Sequence, residues 1–358
     1  MSNNGLGARI EVLLPDMRTR LALAIITAII FGVASGILTP RGPLTSTQTI
    51  VSMFTALLVG VCGGLLMQNR WASFILPASY WLSMEIARIN LTGPTVDGIQ
   101  LGNLYGLIAF ILGRGLHAVI VFSPMLLGIQ YGSGPIASGN LVPRENISLL
   151  VLTVIVILFA AALVNPATTK PINEPNSIAE FTEVSLGGKE QTLLIRGYDQ
   201  EKPVLLYLAG GPGGTDLGAM RMFLSELEKD YVVVTWEQRG AGKSYPALDP
   251  TETLTLEQTI SDTTELTNYL RTRFGKEKIY IVANSWGTIP SVYSVKRHPE
   301  LYHAYVGTGQ MVNVLETDRM FYEDSLEYAR ETGNTGLENE LLRNGLPPYE
   351  DLMNYMTI

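Results

Sequence analysis

The chain begins with long apolar runs that carry almost no charge, then changes to short apolar runs separated by polar turns. Residues 21–39 follow Arg18 and Arg20 and hold no charge. As a helix that run reaches roughly 28 Å, close to the hydrocarbon thickness of a bilayer. Residues 49–67 form a second run, in which Gly60, Gly63 and Gly64 offer a small-residue face for close helix packing. Residues 71–89 form a third and weaker run, with Glu85 and Arg88 near one end. Residues 104–129 form a fourth that encloses Arg114 and His117, and residues 148–164 a fifth that is almost wholly aliphatic. Basic residues before the first run also fit a cleaved signal peptide, but the later runs favour an uncleaved first helix. The pattern predicts an α-helical membrane bundle over residues 1–165. It has four firm spans and a doubtful third, and we prefer five.

The number of spans decides where the rest of the chain lies. Arg9, Arg18 and Arg20 mark the amino-terminal side as cytoplasmic. Five spans put Arg70 and Arg144 on that side too and place the second half outside; four place it inside, which Lys170 favours. The expectation is an integral protein of a bacterial cell membrane, in contact with lipid, with its second half extracytoplasmic. Arg114 and His117 are three residues apart and share a helix face. Such a pair at membrane depth reads either as a functional site or as a structural contact, for instance Arg114 with Glu85. The scarcity of other acids in the spans favours the contact.

After the last run, the connector 166–177 is proline-rich and polar and is expected to be extended and exposed. Strand-like segments 179–185 and 191–197 flank Gly187-Gly188, a hairpin signal. Strands at 203–209, 231–236, 278–283 and 303–306 then alternate with helices near 217–229, 256–274 and 286–297. The alternation predicts a mostly parallel sheet with helices on both faces over 178–312. Helical segments at 315–332 and 336–344 and a further start at 347–349 fill 313–358.

Charge supports the division. Residues 1–165 hold eight Arg, no Lys and five acids, a net +3, while the remainder holds 17 bases and 28 acids, a net −11. An acidic second half without a basic patch argues against nucleic-acid binding. Cys62, the single cysteine, lies in an apolar run and reads as a buried, inert thiol. No cysteine or histidine cluster points to a metal, and no cofactor is expected.

Three segments carry chemistry. In IYIVANSWGTIPSVYSVKRH a strand runs into Asn284-Ser285-Trp286-Gly287 and a helix follows. A serine on a sharp strand-to-helix turn exposes its hydroxyl above the sheet edge, and the small flanking residues Ala283 and Gly287 let strand and helix approach. The backbone N–H of Trp286 opens the helix and is a candidate oxyanion donor. In LLYLAGGPGGTD a buried strand ends in Gly210-Gly211-Pro212-Gly213-Gly214, a loop whose amides can face a substrate; Gly211 is the chosen second donor. In VVVTWEQRGAGKSY the strand ends in Glu237-Gln238-Arg239-Gly240. Its tail looks like a phosphate-binding loop, but position 237 is Glu where the leading glycine would stand.

Together these segments resemble the proline iminopeptidase branch of the α/β-hydrolases, whose motifs read HGGPGG, DQRGxGxS and GxSWG. Here they are AGGPGG, EQRGAGKS and ANSWG, within residues 181–310. The resemblance implies Ser285 as nucleophile, Gly211 and Trp286 as the oxyanion hole, and the 237–244 turn as support for the site. It implies a short peptide as substrate, cleaved at its amino-terminal bond, with an ester as the variant. It also implies that 313–358 is the start of a helical cap. Ala209 in place of the loop histidine and Ala283 at the elbow depart from the pattern.

A serine needs a base and an orienting acid, which in this fold follow it in the order Asp or Glu, then His. His117 lies in a membrane run, His298 ends the helix that Ser285 starts, and His303 begins the next strand. None is placed to serve Ser285. The chain is therefore expected to be a carboxyl-terminally truncated, incomplete hydrolase fold that is inactive as it stands. A non-catalytic membrane protein with a hydrolase remnant is the other reading.

Overall fold

In a computed structural model, residues 5–39, 44–89, 104–139, 147–248, 251–349 and 354–355 are described. The chain divides into two compact units, Met1–Pro166 and Ala167–Ile358.

The first unit is helical: α1 (Leu6–Leu13), α2 (Met17–Leu38), α3 (Ser46–Met67), α4 (Ala72–Ala87), α5 (Leu104–Tyr131, continued by a π turn to Ile136) and α6 (Ile147–Val164). Asp16 caps α2 by accepting from the backbone N–H of Arg18 and Thr19, and Thr45 with Gln48 forms a capping box on α3. Among the described residues, four helices, Met17–Leu38, Ser46–Met67, Phe110–Ile136 and Ile147–Val164, are long and apolar enough to cross a membrane. The third run does not join them. Its helix α4 has 16 residues, about 24 Å, and the expected five spans reduce to four by length. Arg144 lies outside the described residues.

Small residues set the packing here, as Gly60 and Gly64 suggest. A Cβ at Gly60 would lie 2.2 Å from the carbonyl oxygen of Met125, and one at Gly64 2.4 Å from that of Ile129, so α3 meets α5 backbone to backbone. Cys62, expected to be buried, is instead exposed on α3. The contiguous apolar run hid which face of the helix it occupies. Arg114 and Glu85 form the expected ion pair at 3.7 Å, with Arg114 buried. The ring of His117 stands edge-on to Trp81.

The second unit contains one sheet in the order β1-β2-β4-β3-β5-β6. Its strands are β1 (Ile178–Leu186), β2 (Lys189–Gly197), β3 (Val204–Leu208), β4 (Val232–Trp236), β5 (Ile279–Asn284) and β6 (Tyr302–Thr308). The first two form the hairpin about Gly187-Gly188, and β2 pairs antiparallel to β4. The pairs β4–β3, β3–β5 and β5–β6 are parallel.

Helices α7 (Leu217–Phe223), α8 (Leu256–Phe274) and α9 (Thr288–Arg297) connect these strands. The region expected as one helix over 217–229 breaks after Phe223 into a 3₁₀ turn, Ser225–Lys229. Strand residues alternate between two cores. Leu206, Leu208, Val234, Ile281 and Ala283 pack with Leu266 and Leu270 of α8, while Leu205, Tyr207, Ala209 and Val233 pack with Met220 of α7. Burial on both faces is why β3 reads as a continuous apolar run. Beyond β6 follow α10 (Val314–Glu331) and α11 (Thr335–Asn344).

The connector is mostly exposed but is gripped near Thr169 from β2 and α7. The Arg196 guanidinium donates to Thr169 Oγ1 at 2.6 Å and to the Lys170 carbonyl at 2.7 Å, and Arg221 also donates to Thr169 Oγ1 at 2.8 Å. Arg196 is itself held by a buried ion pair with Glu228 at 2.8 Å.

Candidate active site

Three neighbouring parallel strands, β4, β3 and β5, end on the same edge of the sheet, and each leads into one of the three predicted segments. The chain steps from β3 to β4 on one side, then returns past β3 to β5 on the other. The strand order reverses between β3 and β5, and the carboxyl ends at such a reversal form a crevice.

Ser285 occupies that crevice with φ +49°. This left-handed backbone is uncommon for a residue with a Cβ; among the described non-glycine residues only Gln68 shares a positive φ. The conformation turns the chain abruptly out of β5 into a single 3₁₀ turn, Ser285–Gly287, and then α9. Ser285 and Trp286 are half-buried, so the hydroxyl keeps access to the crevice. Thr288 Oγ1 donates to the Ser285 carbonyl at 2.6 Å and accepts from the backbone N–H of Met311 at 3.1 Å.

Gly287 permits this turn. A Cβ there would lie 2.5 Å from the Leu208 carbonyl oxygen and 2.7 Å from that of Ala209. Strand β3 and the elbow are thus in backbone contact, and that contact brings the glycine loop beside the serine. In the loop, Gly210 is the residue that faces the elbow: a Cβ on it would lie 3.2 Å from Ser285 Cβ. Gly211 adopts φ +136° and folds back on the amides of Gly213 and Gly214. Gly211, Pro212 and Gly213 are exposed.

The loop is held from below at three points. Gln238 Nε2 donates to the Ala209 carbonyl at 3.1 Å. Thr215 Oγ1 donates to Glu237 Oε1 at 2.6 Å. The Tyr207 hydroxyl donates to Asp216 at 2.9 Å; burial, then this carboxylate, push the phenol well above its ordinary pKa. Glu237, itself buried, also accepts from the backbone N–H of Lys243 at 2.5 Å, and its carbonyl accepts from Ser244 Oγ at 2.6 Å. Gly240 N–H closes the turn onto the Ser244 carbonyl at 3.1 Å.

Arg239 points away from the crevice. It pairs with the fully buried Asp262 of α8 at 3.0 Å and donates to the Leu186 carbonyl at 3.1 Å. Asp262 also accepts from Gln191 and Gln258. Such a buried pair stays stable because its remaining hydrogen-bonding capacity is filled.

Sequence reasoning missed several participants. Asp262, Tyr207 and Thr308 carry no motif. Thr308 Oγ1 donates to Asn284 Oδ1 at 3.0 Å, tying the end of β6 to the elbow. Gly309, at φ +57°, would place a Cβ 3.8 Å from the Ser285 backbone nitrogen. Its glycine before a loop was the available signal. The histidines of this unit stand apart from Ser285. His298 follows the last residue of α9, about 20 Å along the helix axis from Ser285. His303 stacks on Tyr280, near the opposite end of β5 from the elbow.

Residues 203–337 match the family model for the α/β hydrolase fold. The chain is 34% identical over 186 residues to the probable aminopeptidase YbaC of Bacillus subtilis (strain 168), covering 52% of this chain and 58% of that protein. It is 26% identical over 132 residues to the probable proline iminopeptidase of Leptolyngbya boryana, covering 37% and 39%. Among solved structures, a proline iminopeptidase-related protein from Thermus thermophilus aligns at 25% identity and a TM-score of 0.36, over 41% of this chain and 50% of that one. The chain therefore spans between two-fifths and three-fifths of the length of these curated relatives. The second unit carries an α/β-hydrolase fold homologous to aminopeptidase and proline iminopeptidase-like proteins.

The elbow contact can be tested by one methyl group. Gly287→Ala is expected to cost about 1–3 kcal/mol, read as a lower urea midpoint for the second unit in the detergent-solubilised chain. Gly218→Ala on α7, where nothing lies within 4 Å of the added carbon, is expected to leave the midpoint unchanged or slightly raised. Equal midpoints for the two variants would contradict the contact.

Proposed function

We propose that this chain is a membrane-anchored serine hydrolase of the aminopeptidase type, with Ser285 as nucleophile and short peptides, cleaved at the amino-terminal bond, as substrate. The observation that carries this reading is Ser285 held at φ +49° between β5 and α9, beside the glycine loop. The homology to a probable aminopeptidase and a probable proline iminopeptidase supports the choice of bond.

Ser285 Oγ attacks the scissile carbonyl, and its proton leaves to a base. The negative charge that develops on the carbonyl oxygen is met by the backbone N–H groups of Trp286 and Gly211. The amine departs with a proton, leaving an ester to Ser285 that water then cleaves. Glu237, Gln238 and Tyr207 hold the loop, so its amides need little rearrangement as charge develops. Among the described residues of this unit no histidine is placed to act as the base. Turnover by these 358 residues alone is therefore expected near the level left when a triad member is removed, about 10³–10⁴ over water.

The same deficit supplies the test. Added imidazole should act as the missing base and speed acylation of Ser285 by an activated aminoacyl ester, followed by mass spectrometry of the Ser285 peptide. The acceleration is expected to disappear in Ser285→Ala. Equal imidazole effects on both proteins, with folding verified by circular dichroism, would overturn the assignment.

Four spans return the chain to the side on which it started. Arg9 precedes the first span, Arg18 and Arg20 lie in its first turn, and Lys170 follows the last. By the positive-inside rule we place the hydrolase unit on the cytoplasmic side, opposite to the side five spans would give. A cysteine at Glu201, in a Cys62→Ser background, should resist a membrane-impermeant maleimide in intact cells and react in inverted vesicles. The opposite pattern would restore an odd number of crossings.

A further inference from the structure

Helix α7 has one buried apolar residue, Met220, and its last two residues and the Leu224 cap that follows are three consecutive apolar side chains turned outward. Met222 is 72% exposed, Phe223 75% and Leu224 44%. A cluster of this kind on a hydrolase surface needs a partner that is apolar and always at hand. The connector indicates which. Arg221, next to the cluster, and Arg196 both donate to Thr169 Oγ1, and the buried Arg196–Glu228 pair fixes the clamp. Only four residues of chain, five Cα-to-Cα steps, separate Val164, the last residue of the final apolar helix, from Thr169. Fully extended, they span at most about 17 Å. Thr169, the residue that both arginines hold, is therefore only a short covalent tether away from the last residue of an apolar helix.

We propose that Met222, Phe223 and Leu224 are a lipid-contact patch that seats the hydrolase unit in the boundary between headgroups and acyl chains. Methionine, phenylalanine and leucine suit that boundary, and tethering lets a small apolar patch stay engaged because its local concentration near the bilayer is high. Neighbouring charges nearly balance: Lys170, Arg221 and Lys229 stand against Glu226 and Asp230, with Lys229 already paired to Glu226 at 2.6 Å. Apolar insertion, not attraction to anionic lipid, sets the contact. Neutral phosphatidylcholine is sufficient.

The inference rests on reading the four apolar helices as membrane spans and is independent of catalysis at Ser285. The test uses the full chain in phosphatidylcholine vesicles, in a Cys62→Ser background, with one spin label at a time at positions 158, 201 or 223. Accessibility is read to oxygen, which concentrates in lipid, and to a water-soluble nickel complex. Leu158 is an outward residue of α6 and Glu201 an exposed residue of the hydrolase unit. The expected result is a lipid-like signature at 158 and 223 and an aqueous one at 201. A second label site, Leu224→Cys, should turn from lipid-like to aqueous when Met222→Glu and Phe223→Glu are added. These are exposed changes, so the fold is expected to persist and is checked by circular dichroism.

An aqueous signature at 223 with a lipid-like one at 158 overturns the patch and leaves the spans standing. An aqueous signature at 158 overturns the spans themselves. Spin–spin broadening at 223, marking a second copy, or protection from both reagents, marking a covering protein segment, also overturns the proposal.

Discussion

The carbonyl oxygens of Leu208 and Ala209 lie so close to Gly287 that no side chain fits between them. Most of the candidate site depends on that approach. It lets the end of β3 and the start of α9 share one small volume, so the loop leaving β3 passes Ser285 at side-chain contact distance. The parallel register that sets it, Leu208 beside Ala283, is fixed by burial on both faces of β3 and by alternate burial along β5. A slip of one residue would turn Ile281 and Ala283 out of the core. The position of the serine is thus a consequence of core packing, and the left-handed backbone of Ser285 is the local strain that packing sustains.

The second tier is polar and lies beneath the loop. Glu237 holds Thr215 and Lys243, Gln238 holds Ala209, and Arg239 reaches the other way to Asp262. Three successive residues after β4 therefore join the glycine loop, the turn that follows them and helix α8. This gives a physical meaning to a motif whose glycines and serine also resemble a phosphate loop: its side chains brace the site from behind. Ala209, where the resembled motif HGGPGG has histidine, is wholly buried, and its carbonyl is one of the braced groups.

The sequence made the local devices legible and left the distant ones hidden. The Gly187-Gly188 turn, the alternation of strands and helices, and the strand–serine–helix elbow are all written in adjacent residues. Asp262 and Arg239 are 23 positions apart, and nothing in either segment announces that they meet. The connector reads as extended and exposed because proline and polarity describe its own preferences; Arg196 and Arg221, which clamp it, lie in β2 and α7. In the helical unit, hydropathy located the long helices and marked the α4 run as the weak one, but not the outward face of Cys62, since a run that is apolar all round carries no record of its facing.

Small residues govern both halves. Gly60 and Gly64 bring α3 against α5, as Gly287 brings α9 against β3. In each case a missing side chain permits backbone contact and thereby fixes position. For the hydrolase unit, the claim that follows is that Ser285 and the amides around it are arranged before substrate arrives. The most direct measurement is an experimental structure of the full chain in lipid nanodiscs after reaction with a small phosphonate. The expected result is phosphorus bonded to Ser285 Oγ, with its oxygen about 3 Å from the backbone nitrogens of Trp286 and Gly211. An adduct on another residue, or a phosphonyl oxygen turned away from both amides, would contradict it.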